Sequence, residues 1–479
     1  MMPTQRLLSR RAISTIHLTN LVSSAVILFI FIASYADGRY TIGVNYGQLG
    51  DNLLSPHEAV KLIKDMKVGK VKIYDANPPI LHELRNSKIK VSVMLPNEQI
   101  IAVGMNKSVA NDFVRTNISG FYGDTKIRTL LVGNEILSGS NETWPYLVPA
   151  MINLHHALRE QKLRKVKVST PLAMNLFQAS VFPPSKAAFR TDLVDSVLKP
   201  MLKFLARTRS SVFIDVYPFF EWGANPSNIS LDFALFDPSA PKYKDENGLE
   251  YENLLDVQLD ALVSAMAKVG YPDARITISE TGWPSKMDLD QKGADIPNAA
   301  IFNRRLVKKM LARPPLGTPL RKAKVIDTYI FALFNENLKP GPTTERNFGL
   351  LYPNGTHVYD IDLTGNKNES EYEPLPPVPP EAAPGSLKLW CIANPQIDMG
   401  ALGAALSYAC GEGSADCAPI QPGGSCFFPN NTVSHASYAF NDYYNKFHKI
   451  GGTCVFAGAA DLTTVDPSNG SCKYPPTFV

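Results

Sequence analysis

The first 390 residues of this 479-residue sequence contain no cysteine, and all six cysteines lie between Cys391 and Cys472. A disulfide framework is therefore expected only in the last part of the chain, because an even number of cysteines in a short segment is typical of a small cross-linked domain. That segment also lacks the close C-x-x-C pairs with histidine partners that a zinc site uses. We favour disulfides and expect no metal and no cofactor.

An excess of charge of one sign is also missing. The 48 Lys and Arg residues nearly balance the 44 Asp and Glu residues, which leaves a net charge of +4. A charge this small for the length gives no electrostatic reason to expect a nucleic-acid partner. The early stretch "GVNYGQLG" lacks the G-x-G-x-x-G spacing of a dinucleotide site. A neutral partner fits this composition.

No apolar run near the N-terminus reaches the roughly 18 to 20 residues that a membrane-spanning helix needs. The run "LVSSAVILFIFIAS" follows Arg6, Arg10 and Arg11 and leads to a small-x-small exit at Ser34-Tyr35-Ala36. We interpret residues 1–36 as a secretory signal peptide, with a retained anchor as the alternative, and expect a secreted, cell-wall protein without a transmembrane segment after cleavage. Eight N-x-S/T glycosylation sequons agree with export: Asn106, Asn117, Asn141, Asn228, Asn354, Asn368, Asn430 and Asn469.

The sequence does contain an alternation of strand and helix patterns. Helix signals separate most of the strand patterns, for example a capping box in which Ser55 precedes Pro56 and Glu58. Near-continuous apolar strands that are each followed by a helix indicate a parallel sheet covered on both faces. Eight of them favour a closed (β/α)8 TIM barrel over an open doubly wound sheet. The eight β-branched apolar runs begin at Tyr40, Lys70, Ile89, Ile127, Lys165, Ser211, Ala274 and Val325.

Four regions follow from these patterns. We expect the signal peptide over residues 1–36, the barrel over 37–360, a linker over 361–388 and a cysteine-rich domain over 389–479. The Pro-rich stretch "EYEPLPPVPPEAAPGS" predicts an extended, semi-rigid linker. The last region is too small to depend on its core alone, so we expect disulfides to stabilise it.

Acidic residues close several predicted strands. The fourth strand ends at Glu135, the seventh reaches Glu280 and the eighth ends at Glu336. The chemistry of such barrels gathers at the carboxyl ends of the strands, and acids that share one mouth raise at least one pKa. Glycoside hydrolysis uses this arrangement, since one carboxyl group donates a proton while another attacks or stabilises the sugar. Asp75 and Glu98 also follow strands and remain open to a structural interpretation.

Aromatic residues lie close in sequence to the strand-end positions, and sugar rings stack their C–H faces on such side chains. They are Tyr46, Tyr217, Phe219, Phe220 and Trp283. Core packing is the alternative for each aromatic residue, and a solvated loop is the alternative for each single acid. The set of three strand-end acids, rather than any one member, favours an active site.

The segments "IGVNYGQLGDNL", "LLVGNEI", "DVYPFF", "ISETGWPS", "FALFNENLKPGP" and "NFGLLYPNG" resemble the signature segments of plant endo-β-1,3-glucanases of glycoside hydrolase family 17. The resemblance covers roughly residues 40 to 360. It implies a (β/α)8 barrel that hydrolyses β-1,3-glucans with retention of configuration.

This resemblance also implies roles for individual residues. Glu135 would be the general acid/base and Glu280 the nucleophile, while Glu336 and Lys339 match a supporting pair in the cleft. Asn134 is similar to the residue that hydrogen-bonds the sugar 2-hydroxyl in related barrels. One departure is Lys72 in "VKIYDA", where arginine is the commoner residue. We expect this departure to affect stability and the charge near Asp75, and not the chemistry.

The last region resembles the C-terminal family 43 carbohydrate-binding module from Trp390 to Cys472, on the segments "WCIANP", "ALSYACGEGSADC", "GGSCFFPNNTVSHASYAFNDYYNK" and "GGTCVFAGAADLTTVDPSNGSC". Six cysteines allow fifteen disulfide connectivities. The resemblance implies β-1,3-glucan as the ligand and the pairing Cys391–Cys454, Cys410–Cys417 and Cys426–Cys472.

The leading hypothesis is therefore a secreted retaining endo-hydrolase of β-1,3-glucan with an accessory binding module, and we expect it to be a monomer. One alternative is a wall-glucan-binding protein that does not hydrolyse. Another is a barrel that remodels glucan by transglycosylation or cuts mixed-linkage glucan. Transglycosylation and cleavage of mixed-linkage glucan would use the same two acids as β-1,3-glucan hydrolysis, so the motifs do not distinguish these activities.

Overall fold

A computed structural model describes residues 41–378 and 387–479. The predicted signal peptide, residues 1–36, and residues 379–386 of the predicted linker lie outside the described residues. No helix within the described ranges is long and apolar enough to cross a membrane.

A parallel sheet that returns on itself forms the centre of residues 41–378. Its strands are β1 (Gly43–Tyr46), β2 (Lys70–Ile73), β3 (Lys90–Leu95), β4 (Lys126–Val132), β5 (Lys167–Ser169), β6 (Pro171–Leu172), β7 (Val212–Asp215), β10 (Ile276–Thr281) and β11 (Asp327–Ile330). They pair in parallel in the order β5-β4-β3-β2-β1-β11-β10-β7-β6. A separate antiparallel hairpin is formed by β8 (Tyr243–Lys244) and β9 (Glu250–Tyr251).

The two end strands of this sheet are one continuous stretch of chain. Only Thr170 separates β5, which pairs with β4, from β6, which pairs with β7. Residues 167–172 therefore close the sheet into a barrel. With β5 and β6 counted as one position, the barrel has eight strand positions, which correspond to the eight predicted strand runs. The TIM-barrel prediction is confirmed.

Helices cover the outside of the barrel. They are α1 (Pro56–Asp65), α2 (Pro78–Glu83), α3 (Ile100–Met105), α4 (Lys107–Val114), α5 (Trp144–Glu160), α6 (Thr191–Leu193), α7 (Lys199–Thr208), α8 (Pro218–Ala224), α9 (Leu231–Ala234), α10 (Leu254–Lys268) and α11 (Ile296–Leu311). The predicted capping box is present, because the Ser55 hydroxyl accepts from the Glu58 backbone N–H while the Glu58 carboxylate accepts from the Ser55 backbone N–H.

Side chains on the two faces of the strands form separate clusters. One large core of buried aliphatic residues lies between the strands and the helices, while Met94, Leu131, Phe213 and Tyr329 form a small apolar cluster of their own. Side chains alternate along a strand, so Asp215 at the end of β7 lies on the same face as Phe213. The face that carries the small cluster thus becomes polar where the strands end.

The cysteine-rich region has its own small sheet and helix pair. Strand β12 (Lys388–Ala393) pairs antiparallel with β13 (Ala460–Thr463) and β14 (Thr477–Phe478). Helices α12 (Met399–Cys410) and α13 (Thr432–Phe447) pack on this sheet. The structure contains the disulfides Cys391–Cys454, Cys410–Cys417 and Cys426–Cys472, which is the pairing that the family 43 resemblance implies.

The first part of the predicted linker differs from the expectation. Ile361 and Leu363 are buried in the barrel core, and the Tyr372 ring lies under the guanidinium of Arg304 at 4.0 Å. The apolar side chains in this stretch and the aromatic ring at its end give it packing partners that a Pro-rich composition alone does not reveal. The packed part of the first domain therefore extends past residue 360.

Candidate active site

A cavity of about 780 Å³ opens where the barrel strands end. Side chains at or just beyond the carboxyl ends of β4, β7, β10 and β11 line it, as expected for this face of a barrel. The cavity brings together seven of the residues that the sequence predicts for the site: Asn134, Glu135, Tyr217, Phe220, Glu280, Glu336 and Lys339. Its size falls in the range that is usual for ligand pockets, roughly 300 to 1,000 Å³.

Glu280 is held by three donors. Its Oε1 atom accepts from Lys72 Nζ at 2.6 Å and from the Tyr74 hydroxyl at 2.5 Å, and its Oε2 atom accepts from the Tyr217 hydroxyl at 2.7 Å. The residue is 6% exposed. Each carboxylate oxygen therefore has a fixed direction within the cavity.

The same contacts set the protonation state of Glu280. Burial by itself raises the pKa of a carboxyl group, but the charge of Lys72 and the hydrogen bonds from Lys72, Tyr74 and Tyr217 outweigh burial. The net result is a pKa below the ordinary value. Glu280 is therefore ionised at neutral pH.

Lys72 corrects an expectation from the sequence. The ammonium group was expected to act on stability and on the charge near Asp75, yet Lys72 Nζ bonds directly to Glu280 and to Ser279 Oγ, the latter at 2.8 Å. Lys72 is fully buried, so this contact is made away from solvent. A buried cation next to the carboxylate stabilises its charged form, so Lys72 acts on the charge of Glu280 as well as on the charge near Asp75.

Glu135 has the opposite electrostatic environment. Burial raises its pKa first, the negative charge of Glu280 raises it further, and the more distant charges of Lys72 and Lys339 only partly compensate, so that its pKa rises to about 7. No direct cation contact is present among the described ion pairs at Glu135. This carboxyl group holds its proton to near neutral pH, as a general acid must.

The backbone around Glu135 places its side chain at the mouth. Strand β4 ends at Val132, Gly133 has φ +64°, and Glu135 itself lies in the left-handed region with φ 50°. A Cβ atom on Gly133 would come within 2.6 Å of Ile100 Cδ1. Two positive φ angles, separated only by Asn134, turn the chain sharply, and non-glycine residues with positive φ are concentrated at functional sites.

Asp215 is a third carboxyl group in this cluster. It lies on β7 opposite Glu280 of β10, is buried, and has Lys72 Nζ 3.9 Å from its Oδ1 atom. Burial raises its pKa well above the ordinary value, and the charge of Glu280 adds to this effect. Lys72 opposes this rise, because a nearby positive charge favours the ionised form of Asp215, but it does not outweigh burial and the charge of Glu280.

Glu336 and Lys339 both line the cavity. Glu336 is buried and accepts a hydrogen bond from the Leu49 backbone N–H at 2.8 Å, and burial raises its pKa. Lys339 pairs with Glu345 at 3.0 Å and lies 4.1 Å from the centre of the Phe331 ring. Gly47 is required beside Glu336, since a Cβ atom there would lie 2.3 Å from Glu336 Oε2.

Three predicted substrate contacts are placed where a sugar could reach them. Tyr217 and Phe220 line the cavity with ring centroids 5.4 Å apart, and Phe220 is 44% exposed. Asn134 is fixed through its backbone N–H, which donates to Asn97 Oδ1 at 2.7 Å, while its own buried Oδ1 atom has no hydrogen-bond partner among the described residues. An unpartnered buried oxygen in a cavity is consistent with a ligand contact.

Two residues predicted as substrate contacts, Trp283 and Tyr46, do not line the cavity. Trp283 is completely buried, donates its indole N–H to the Gly293 carbonyl at 2.7 Å and packs against Phe219 and Phe302. Tyr46 is 2% exposed and packs on Phe334, and neither residue lines the cavity. Both rings are packed in the core, because neighbouring aromatic side chains cover them.

Lys72, Tyr74 and Asp215 form the part of the site that the sequence analysis missed. Lys70, Lys72 and Tyr74 alternate along β2 and its end, so they point to one face of the strand. Charged residues at alternating positions of an otherwise apolar parallel strand are a signal, since such strands are normally apolar on both faces. That signal indicates a polar barrel interior.

Comparison with protein families assigns most of the chain. Residues 42–363 match the family described as glycosyl hydrolases family 17, and residues 389–461 match the X8 domain. The first match covers the barrel and the second covers the start of the disulfide-linked region.

Individual relatives match over nearly their whole length. The chain is 44% identical to "Probable glucan endo-1,3-beta-glucosidase A6" of Arabidopsis thaliana over 435 residues, which is 91% of both chains. It is 36% identical to a glucan endo-1,3-beta-D-glucosidase of Olea europaea over 95% of this chain and 98% of that one. Among solved structures it resembles CJP38, a beta-1,3-glucanase and allergen of Cryptomeria japonica pollen, with a TM-score of 0.63 and 40% identity over 68% of this chain and 99% of that one.

Proposed function

This chain belongs to glycosyl hydrolase family 17, and from that premise we propose that it hydrolyses internal β-1,3-glucosidic bonds of β-1,3-glucan with retention of configuration. The observation that carries this proposal is the pair of carboxyl groups, Glu135 and Glu280, which share one cavity and have pKa values shifted in opposite directions. Such a pair divides acid and nucleophile roles between two identical side chains.

Glu280 acts as the nucleophile in this proposal. Its ionised carboxylate attacks the anomeric carbon, forming a glycosyl–enzyme ester while the bond to the leaving glycosidic oxygen breaks. Lys72, Tyr74 and Tyr217 keep it charged and oriented before attack. As the ester forms, the negative charge on Glu280 disappears, and the raised pKa of Glu135 loses one of its causes.

Glu135 acts first as an acid and then as a base. With a pKa near 7 it carries the proton that the leaving oxygen takes when the glycosidic bond breaks. Once it has lost this proton, it accepts one from the water that attacks the glycosyl–enzyme. Retention requires the two carboxyl groups to lie about 5 to 5.5 Å apart, so we expect that separation between Glu135 and Glu280.

Other cavity residues support substrate binding in this proposal. The exposed Phe220 ring and the neighbouring Tyr217 ring offer an apolar surface to the C–H face of a sugar. Asn134, which lines the cavity beside Glu135, hydrogen-bonds a sugar hydroxyl next to the reacting centre. Glu336 and Lys339 bind hydroxyl groups farther along the cleft.

The X8 domain is the family 43 carbohydrate-binding module, and we propose that it binds β-1,3-glucan. Export through the N-terminal signal, a place in the cell wall and a monomeric state complete the proposal. A neutral polysaccharide is the expected partner, in agreement with the small net charge of +4.

Laminarin hydrolysis tests the function. The mature protein is incubated with laminarin and new reducing ends are measured, with the Glu280→Gln variant as the matched control. We expect steady release by the wild type and a loss of several orders of magnitude in the variant, because the covalent step is removed. Binding of laminarin without release by the wild type would favour the non-hydrolytic binding protein instead.

A further inference from the structure

A second cavity, of about 510 Å³, lies between loops of the barrel and the disulfide-linked region. From the barrel it is lined by Asp288, Asn337, Lys339 and Pro340, and from the disulfide-linked region by Asp461 and Leu462. We call this cavity the interdomain groove. Its size is typical of a ligand site.

The interdomain groove adjoins the active-site cavity. Lys339 and Pro340 line both cavities. The segment that contains them therefore forms a ridge with the reacting carboxylates on one side and the groove on the other. A linear polymer that leaves the cleft over this ridge enters the groove.

Hydrogen bonds hold the ridge in place. The carboxylate of Asp288 accepts from the Thr343 backbone N–H at 2.8 Å, and Arg346 donates to the Gly341 carbonyl at 2.7 Å. The ion pair between Lys339 and Glu345 also ties the segment to itself. A fixed ridge preserves the path between the two cavities.

A direct contact fixes the other wall of the groove. The Tyr444 hydroxyl, on α13 of the disulfide-linked region, donates to Asp290 Oδ2 at 2.9 Å. Asp290 lies two residues after Asp288 in the same barrel loop, so one short segment holds both the ridge and the X8 domain. The Tyr444 ring is fully buried in its own domain, which makes this hydroxyl a rigid anchor.

The chemistry of the groove suits a neutral polyol. Three carboxylates (Asp288, Asp290 and Asp461) face two cations (Lys339 and Arg346), so the lining is nearly balanced in charge. Within the described residues no group of three His, Cys, Asp or Glu side chains could hold a metal ion. Mixed donors and acceptors beside the apolar side chains of Pro340 and Leu462 match sugar hydroxyls and C–H groups.

We propose that the interdomain groove is a second carbohydrate-binding site, which holds the part of a β-1,3-glucan chain that extends beyond the active-site cavity. This inference rests on the proposed function, because it takes its ligand from that function. Asp461 provides the contact from the X8 domain, since no ion pair of the described residues engages its carboxylate and it lies across from Arg346. The X8 domain then contributes to catalysis on long chains directly.

Kinetics on substrates of two lengths test the proposal with the full-length protein. KM and kcat are measured for laminarin and for the shortest β-1,3-oligosaccharide that the wild type cleaves. In Asp461→Ala we expect KM for laminarin to rise about 3- to 10-fold, the effect of losing one hydrogen bond, with kcat unchanged and with no change for the short substrate. Tyr444→Phe, which keeps the buried ring and loses the bond to Asp290, is expected to change KM in the same length-dependent way.

The control is Glu412→Ala, which removes an exposed carboxylate of the same domain that does not line the groove. We expect wild-type constants for it on both substrates. Equal KM effects on short and long substrates, or unchanged KM for laminarin in both groove variants, would overturn the proposal. A wild-type protein that cleaves neither substrate would instead refute the proposed function, and this result is visible before any variant is compared.

Discussion

Glu135 and Glu280 carry the same side chain, yet their surroundings push their pKa values in opposite directions. Both are largely removed from water, and burial alone would raise the pKa of each. The difference arises because Lys72 and two tyrosine hydroxyls contact Glu280 directly, whereas at Glu135 burial is the largest cause and the negative charge of Glu280 adds to it. A few direct contacts therefore give two identical side chains opposite pKa shifts.

These shifts predict a bell-shaped pH profile of kcat/KM. Glu135 must be protonated to donate, so activity falls as the pH rises through about 7. Glu280 must be ionised to attack, and its pKa lies below the ordinary value, so activity falls again only in the acid range. Initial rates on laminarin across the pH range measure both limbs.

The Glu135→Gln variant is the check on this assignment. It should be slower by about 10²- to 10⁴-fold and should lose the limb near pH 7. A variant that keeps this limb unchanged would show that another group is the acid.

The buried ammonium group of Lys72 should control the pH at which Glu280 becomes ionised. In Lys72→Met, Glu280 loses its buried cation, so its pKa rises and the acid limb of kcat/KM moves to higher pH. Lys72→Arg keeps the charge and should leave the limb close to its wild-type position. If both variants shifted the limb equally, shape rather than charge would be the property that matters at this position.

At the residue scale, the sequence predicts side chains that end a strand better than side chains that lie within one. Glu135, Glu280 and Glu336 were found because a carboxylate after an apolar run is conspicuous. Tyr46 and Trp283 were misassigned because a position near a strand end does not reveal whether later chain segments cover the ring, as they do here. Asp215 went unnoticed because its significance depends on the neighbouring strand that carries Glu280.

Some boundaries of secondary-structure elements are set by local sequence signals, and others are set by tertiary contacts. The start of α1 is specified locally by Ser55, Pro56 and Glu58. The division of one predicted strand into β5 and β6, by contrast, arises where the barrel closes and the chain changes partner from β4 to β7. Periodicity predicts the first kind of feature and gives no indication of the second.

The α1 cap predicts a change in stability without a change in activity. Ser55→Ala removes the hydroxyl that accepts from the Glu58 backbone N–H, so the free energy of unfolding should fall by about 1 kcal/mol. Chemical denaturation measures this loss, and the rate on laminarin should stay at the wild-type value because α1 contributes no residue to the active-site cavity. A parallel loss of activity would mean that this helix supports the site.

In the whole molecule, the two domains differ in how covalent cross-links stabilise them. All six cysteines lie in the disulfide-linked region and form its three disulfides, while the barrel sequence has no cysteine. The Cys391–Cys454 bridge spans 63 positions, and closing such a loop stabilises the fold by on the order of 4 kcal/mol in the chain-entropy description. Reduction therefore acts on one domain.

Reduction and alkylation should abolish capture on insoluble β-1,3-glucan while cleavage of the shortest substrate persists. Pull-down and reducing-end assays on the same sample measure the two properties, with an unreduced sample as the control. Undiminished pull-down after complete alkylation would place the capture site on the barrel.

The contact between Tyr444 and Asp290 could not be predicted from the sequence, because nothing local to either residue indicates its partner 154 positions away.

The central claim is that Glu280 forms a covalent bond with the sugar. A 2-deoxy-2-fluoro β-1,3-glucoside with a good leaving group slows hydrolysis of the glycosyl–enzyme, so the adduct can be located by proteolysis and mass spectrometry. We expect one added sugar unit on the peptide that contains Glu280. An adduct on a different carboxylate, or none in a protein that cleaves laminarin, would contradict it.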